Sequence, residues 1–124
     1  MTRRVVIVDD GQWGSVKREK GEYDAVVEYL SRTLKAVVNQ EGERQAEVEV
    51  VKTTEGGLLW LGGTGGIMIF VTRGMLEKAR RVAKEYRHIR VILFTGDIPE
   101  GEIIFLNKSS LPNREDLANL VLRS

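Results

Sequence analysis

The chain has 124 residues, no cysteine and a formal net charge of +1, from 19 lysines and arginines against 18 aspartates and glutamates. That length suits one domain spanning residues 1–124, able to bury roughly two-thirds of its unfolded surface. The missing cysteines exclude thiol catalysis, a cysteine zinc site and a disulfide framework. The near-neutral balance makes no demand for nucleic acid or an anionic membrane, and the apolar run Val5–Val8 is too short for a signal-peptide core or a membrane span. A cytoplasmic protein is expected.

In chain order, Val5–Val8 is continuously apolar, the pattern of a strand covered on both faces, and it stops at Asp9, Asp10 and Gly11. A polar, glycine-rich stretch, "GQWGSVKREKGEY", follows. Between Tyr23 and Val38, Val26, Tyr29, Leu30, Leu34, Val37 and Val38 recur at three- and four-residue steps and predict the first helix. Ala46–Val51, "AEVEVV", alternates and predicts a strand with one wetter face, near a sheet edge. "GGLLWLGGTGG", residues 56–66, predicts a short helix around Leu58–Leu61 and then a glycine turn. It lacks the Gly-Lys-Ser/Thr ending of a P-loop, and it precedes a strand where phosphate-binding loops follow one.

"GGIMIFVT" predicts a second buried strand. Helical spacing resumes through Met75, Leu76, Ala79, Val82, Ala83 and Tyr86, and "RVILFT" and "EIIFL" predict two more buried strands. The last helix is expected near "NRED", with Asn113 as cap, Asp116 answering it three residues on, and Leu117, Leu120 and Val121 facing inward. Alternation of strands and helices needs helices on both faces of a mostly parallel sheet. The expected architecture is a flavodoxin-like α/β three-layer sandwich with a five-stranded, mostly parallel sheet. Ligands of such sheets bind beyond the carboxyl ends of the strands, where Asp9, Asp10, Thr72, Thr95 and Lys108 would sit.

That set of strand ends resembles the response-regulator receiver domains. "VVIVDD" is similar to their first strand with its magnesium-holding acids, "VILFT" to their fourth strand ending in Thr or Ser, and "IIFLNK" to their fifth ending in Lys. Phe105 matches the aromatic position that switches rotamer on activation. The likeness covers nearly the whole chain, and it implies a phosphoacceptor aspartate at the end of the third strand. Here that position is Thr72. A threonine hydroxyl is a poor nucleophile without a base and gives a hard cation no anionic ligand, so the pocket is expected to be degenerate. No resident cofactor or metal is expected; Asp9 and Asp10 alone would hold a cation only loosely, with Lys108 placed to neutralise part of their charge.

Two further departures bear on function. Only Gly96–Glu102 separates the fourth and fifth strands, too short for the family's fourth helix, which is expected to be replaced by a loop. An extended parallel crossover is favoured there over a hairpin turning at Pro99 and Gly101. The long stretch after Asp10 would let Trp13 act as a lid or a partner anchor. Together these features resemble the pseudo-receivers, which bind protein partners without phosphotransfer. The expected function is therefore a non-catalytic signalling module, its partner a sensor kinase, a clock protein or another regulatory protein, with homodimerisation left open. Trp13, Phe105, an exposed strand edge, the Gly96–Glu102 loop and the last helix are the expected contact surfaces.

Plainer readings stand beside these. Asp9 and Asp10 also suit a strand end and turn cap, Thr72 also suits local backbone hydrogen bonding, Lys108 an exposed strand terminus, and Phe105 a core residue. A nucleic-acid-binding regulator is the alternative function, through "EKARRVAKEYRHIR" with Lys78, Arg80, Arg81, Lys84, Arg87, His88 and Arg90. A solvated helix face, with Glu77 and Arg81 at the favourable spacing, explains the same residues. Catalysis is not expected: His88 lies far from the acids, and no nucleophile elbow follows a strand.

Overall fold

The computed structural model describes residues 3–9, 12–13, 16–17, 25–63, 65–71, 75–94, 104–106 and 113–122. Strands β1 (Arg3–Val8), β4 (Ala46–Val51), β5 (Gly66–Phe70) and β6 (Ile89–Phe94) form an all-parallel sheet in the order β4-β1-β5-β6. Outside β6, the three-residue β7 (Ile104–Leu106) pairs in parallel, with Leu93 opposite Phe105. Two-residue strands β2 (Gln12–Trp13) and β3 (Val16–Lys17) pair antiparallel within the polar, glycine-rich stretch.

Helices cover both faces. Odd-numbered β1 residues Val5 and Ile7 join Ile67, Ile69 and Ile92 under α1 (Ala25–Lys35) and α4 (Arg114–Leu122). Even-numbered Val6 and Val8 join Met68, Phe70, Val91 and Leu93 under α2 (Thr54–Leu61) and α3 (Leu76–Glu85). The alternation follows from the two-residue period of a strand, and double-sided cover explains the unbroken apolar runs. β4, at the sheet edge, instead leaves Glu47, Glu49 and Val50 exposed. Among the described residues no helix is long and apolar enough to cross a membrane.

Three helix boundaries have local causes. α1 ends at Lys35, short of the expected Val38, because Asn39 Oδ1 accepts the backbone N–H groups of Glu41 and Glu43, each at 2.9 Å. Those bonds, with Gly42 at φ +81° and an antiparallel bridge from Val38 to Arg44, draw the chain into a turn. α2 starts four residues before the expected Leu58: Thr53 caps it by accepting the Gly56 N–H at 3.0 Å, and Gly62, left-handed at φ 66°, closes it. α4 is capped as the sequence predicts, the Asp116 N–H donating to Asn113 Oδ1 at 2.8 Å. At its far end the Leu122 carbonyl accepts from Arg3, a cation placed against the negative end of the helix dipole.

Arg4 ties α2 to the sheet. Its Nη1 donates to the Trp60 carbonyl at 2.8 Å, its guanidinium lies 5.0 Å from the centre of the Trp60 ring, and its Nε sits 3.4 Å from Glu47 on β4. The first contact satisfies a carbonyl that the last helical turn leaves without an intrahelical donor. The chain then re-enters the sheet at Gly66, where an added Cβ would stand 2.7 Å from Leu61 Cδ2 and 3.0 Å from the Arg4 carbonyl. Gly66→Ala should therefore destabilise the protein by about 1–3 kcal/mol in denaturant unfolding. The cost should shrink in a Leu61→Ala background, because only the backbone clash then remains.

Candidate functional site

The order β4-β1-β5-β6 places the reversal of the sheet between β1 and β5. From β1 the chain goes out through α1 to one neighbour, β4, and then through α2 on the opposite face to the other, β5. The carboxyl ends of these two strands form the crevice where parallel sheets of this kind take ligands. Asp9 stands there, half-buried directly after Val8, with its backbone N–H donating to the Val51 carbonyl at 2.8 Å. The fully buried Phe70 and Val71 end the neighbouring strand, immediately before Thr72 in the sequence.

Asp10, Thr72, Thr95 and Lys108 lie outside the described residues, as do the crossover 96–102 and the side chains of Trp13 and Phe105. For Trp13 and Phe105 the backbone alone is placed, in β2 and β7. Asp9 is thus the one predicted pocket residue whose position is described, directly after the end of β1. Among the described residues no group of three His, Cys, Asp or Glu is arranged to hold a metal ion.

The basic residues divide between two faces. Lys78, Arg80, Arg81, Lys84, Arg87 and His88 are exposed on α3 and the turn after it. Arg90 belongs to the other face of β6, in register with Ile67, and so leaves the basic flank that the sequence assigned it to. Burial, and then the neighbouring charge of Arg3, push the Arg90 guanidinium below its usual value. Among the described residues a helical ion pair forms between Glu28 and Arg32 on α1, and none joins Glu77 to Arg81. His88 stacks edge-to-face on Tyr86, with ring centres 6.2 Å apart, at the end of α3 away from Asp9.

A second concavity, unforeseen from the sequence, lies between α2 and α3. This groove of about 140 Å³ is lined by Thr54, Glu55, Leu58, Lys78, Arg81, Val82, Glu85 and Tyr86. Both helices follow carboxyl ends of parallel strands, so they run in the same direction and present their positive amino ends together. Val82 and the half-buried Leu58 and Tyr86 give the groove an apolar base that belongs to the core beneath. The Thr54 hydroxyl is buried beside it with no hydrogen-bond partner among the described residues. The one sequence signal that could have revealed this site is Thr53-Thr54-Glu55, which starts α2 early, but the glycine pair that follows obscures it.

An unsatisfied buried hydroxyl costs free energy that an isosteric methyl does not. Thr54→Val should therefore leave the fold intact and raise its stability by about 1 kcal/mol in chemical denaturation. A loss of stability would show that the hydroxyl has a partner in solution.

No protein-family model matches the chain, and comparisons with curated proteins and with solved structures find no match either.

Proposed function

We propose that this chain is a flavodoxin-like, receiver-type regulatory module that acts through protein contact without phosphotransfer. The observation that carries the reading is the position of Asp9 at the end of the central strand, beside the end of β5, with Thr72 as the residue that follows Val71 there. In a receiver that second strand would deliver the acceptor aspartate. Asp9 after the central strand, with a threonine in the sequence where an acceptor aspartate would follow β5, supports retention of the fold for recognition, with the chemistry lost.

The residues support no alternative chemistry at this crevice. A hydroxyl nucleophile needs a base within hydrogen-bond reach, and the single histidine lies at the other end of α3. A cytoplasmic setting and a protein partner, a sensor kinase or another regulatory protein, belong to the same reading.

Magnesium with beryllofluoride, which mimics an aspartyl phosphate, separates the alternatives. In the unmodified protein, backbone amide shifts at Asp9, Asp10, Thr72 and Lys108 should show no saturable change. Thr72→Asp restores the third carboxylate and should create a magnesium-dependent, saturable response at those residues. A response in the unmodified protein would overturn the reading, and silence in the Thr72→Asp protein would overturn the receiver resemblance on which it rests.

A further inference from the structure

We infer that the outer edge of β4 is the docking edge of the module, and that its partner is an extended protein segment with lysine or arginine at alternate positions, added to the sheet as a further strand. The inference rests on the reading of the chain as a protein-contact module. Of the surfaces that the sequence suggested it selects one, an exposed strand edge, and it adds which edge and what chemistry binds there.

The first observation is where the backbone of β4 points. Strand β4 ends the sheet on one side, with β1 as its neighbour among the described strands. The carbonyls of Gln45 and Val51 accept from the Arg3 and Asp9 N–H groups on the β1 side, so the odd-numbered residues of β4 turn their backbone groups inward. The even-numbered ones turn theirs outward. Ala46 is buried, which confines the open edge to Val48 and Val50, and no described residue bonds to the outward groups of either. Val50 is 41% exposed, so a chain can reach them. A row of outward N–H and C=O groups is matched by an extended backbone that carries the complementary row.

The second observation is charge. Glu47 and Glu49 are exposed on the face of β4 that carries Val51, while Val48 belongs to the opposite face, under α1. Glu47 has Arg4 Nε at 3.4 Å; Glu49 has no ion pair among the described residues. Residues opposite one another across a strand pair share a face, so a strand laid on β4 brings alternate side chains against the two acids. Two acids two residues apart call for cations two residues apart, whichever way the added strand runs. The residue between those cations falls on the side of Val48 and Val50, where an apolar side chain extends the cover of the sheet. Arg44 and Lys52 flank the strand at its two ends, so the acidic surface is short and sets the register of what binds.

The same acids select against a second copy of this chain. Antiparallel pairing of β4 with its own copy, centred on Val48, would set Glu47 against Glu49 at both crossings; centred on Glu49, it would set that residue against its own equivalent. Like charges directly opposite are destabilising. Acidic side chains on an edge strand guard it against such self-pairing, and they repel phosphate chains too. A basic strand meets neither barrier.

The experiment titrates a short capped peptide of alternating lysine and valine into the full-length chain. Backbone amide shifts should saturate and centre on Glu47, Val48, Glu49 and Val50, and hydrogen exchange should slow at the Val48 and Val50 N–H groups, the donors of the new ladder. Glutamate in place of the peptide's lysines should weaken binding about tenfold, and added salt should weaken the lysine peptide. Glu49→Lys should reverse the preference between the two peptides. Methylating alternate peptide nitrogens should abolish binding for the set that faces β4 and spare it for the other set. Val50→Pro, which removes an outward N–H that pairing with β1 does not use, should weaken binding in a protein of unchanged melting behaviour.

No saturable binding by the lysine peptide, equal binding by the glutamate peptide, shifts that map elsewhere, or unchanged exchange at Val48 and Val50 would each overturn the inference. So would a dimer of the unmodified chain in which those two amides become protected, since that would give the edge to a second copy. A beryllofluoride response in the unmodified protein would sink the phosphotransfer-free reading and leave the edge result standing, so the two failures are distinguishable.

Discussion

Val5, Val6, Ile7 and Val8, with Ile67, Met68, Ile69 and Phe70, expose essentially nothing to solvent, so the two central strands require apolar cover on both faces. Each such side chain gains roughly 1.5–3 kcal/mol from full burial. A strand open on one face would forfeit about half of that sum. Parallel connection supplies the cover, because every return to the start of the next strand must carry the chain over one face or the other. With α1 and α4 on one side and α2 and α3 on the other, both sets of alternating side chains are closed off. The crevice at the ends of β1 and β5 follows from the same requirement, since it forms where successive crossovers leave for opposite faces.

The face that carries the groove shows what such cover leaves over. α2 packs over β1 and α3 over β6, with β5 between those two strands. Two strand spacings amount to about 10 Å, the upper end of ordinary helix-to-helix separation. Bulky side chains on α2 would fill that interval, but α2 spends two of its eight residues on glycine. Gly57 faces the sheet closely: an added Cβ would lie 3.1 Å from Met68 Cε, which would have to shift by a few tenths of an ångström. The helix sits close to the sheet, held by the Arg4 contacts at its carboxyl end, and the space beside it stays open. A cleft between α2 and α3 is the geometric remainder of pressing a short, glycine-containing helix onto β1.

The electrostatics of the two faces are set by register. A one-residue offset in side-chain parity between β5 and β6 pairs Ile67 with Arg90, which sends Arg90 toward the α1 and α4 side while its neighbours in sequence remain on the α3 side. There Arg90 shares its surroundings with Arg3, and Arg3 meets the carbonyl end of α4, a favourable place for positive charge. The basic run of the sequence thus divides into a structural part, bound up with α4, and an exposed part on α3. Only the exposed part is open to a partner.

Much of the fold is legible in the residues themselves. The continuous apolar runs of β1, β5 and β6, the alternation of β4 and the Asn113 cap each follow from local periodicity or hydrogen-bonding chemistry, and each element lies where those signals place it. The end of α1 is less legible, because Asn39 competes for backbone groups across a turn that helical spacing ignores. The start of α2 is hidden by Gly56 and Gly57, the second of which approaches Met68 on β5. Asp9 at the mouth of the crevice can be read from its place after an apolar strand. The α2–α3 groove cannot, because it depends on which strands lie beneath the two helices, and strand order is a property of long-range packing. The sequence by itself determined the class of fold and the acid at the end of the central strand, through periodicities only a few residues long. Only the tertiary structure decided which charges face together and where a cavity opens, because both depend on residues brought into contact from distant parts of the chain.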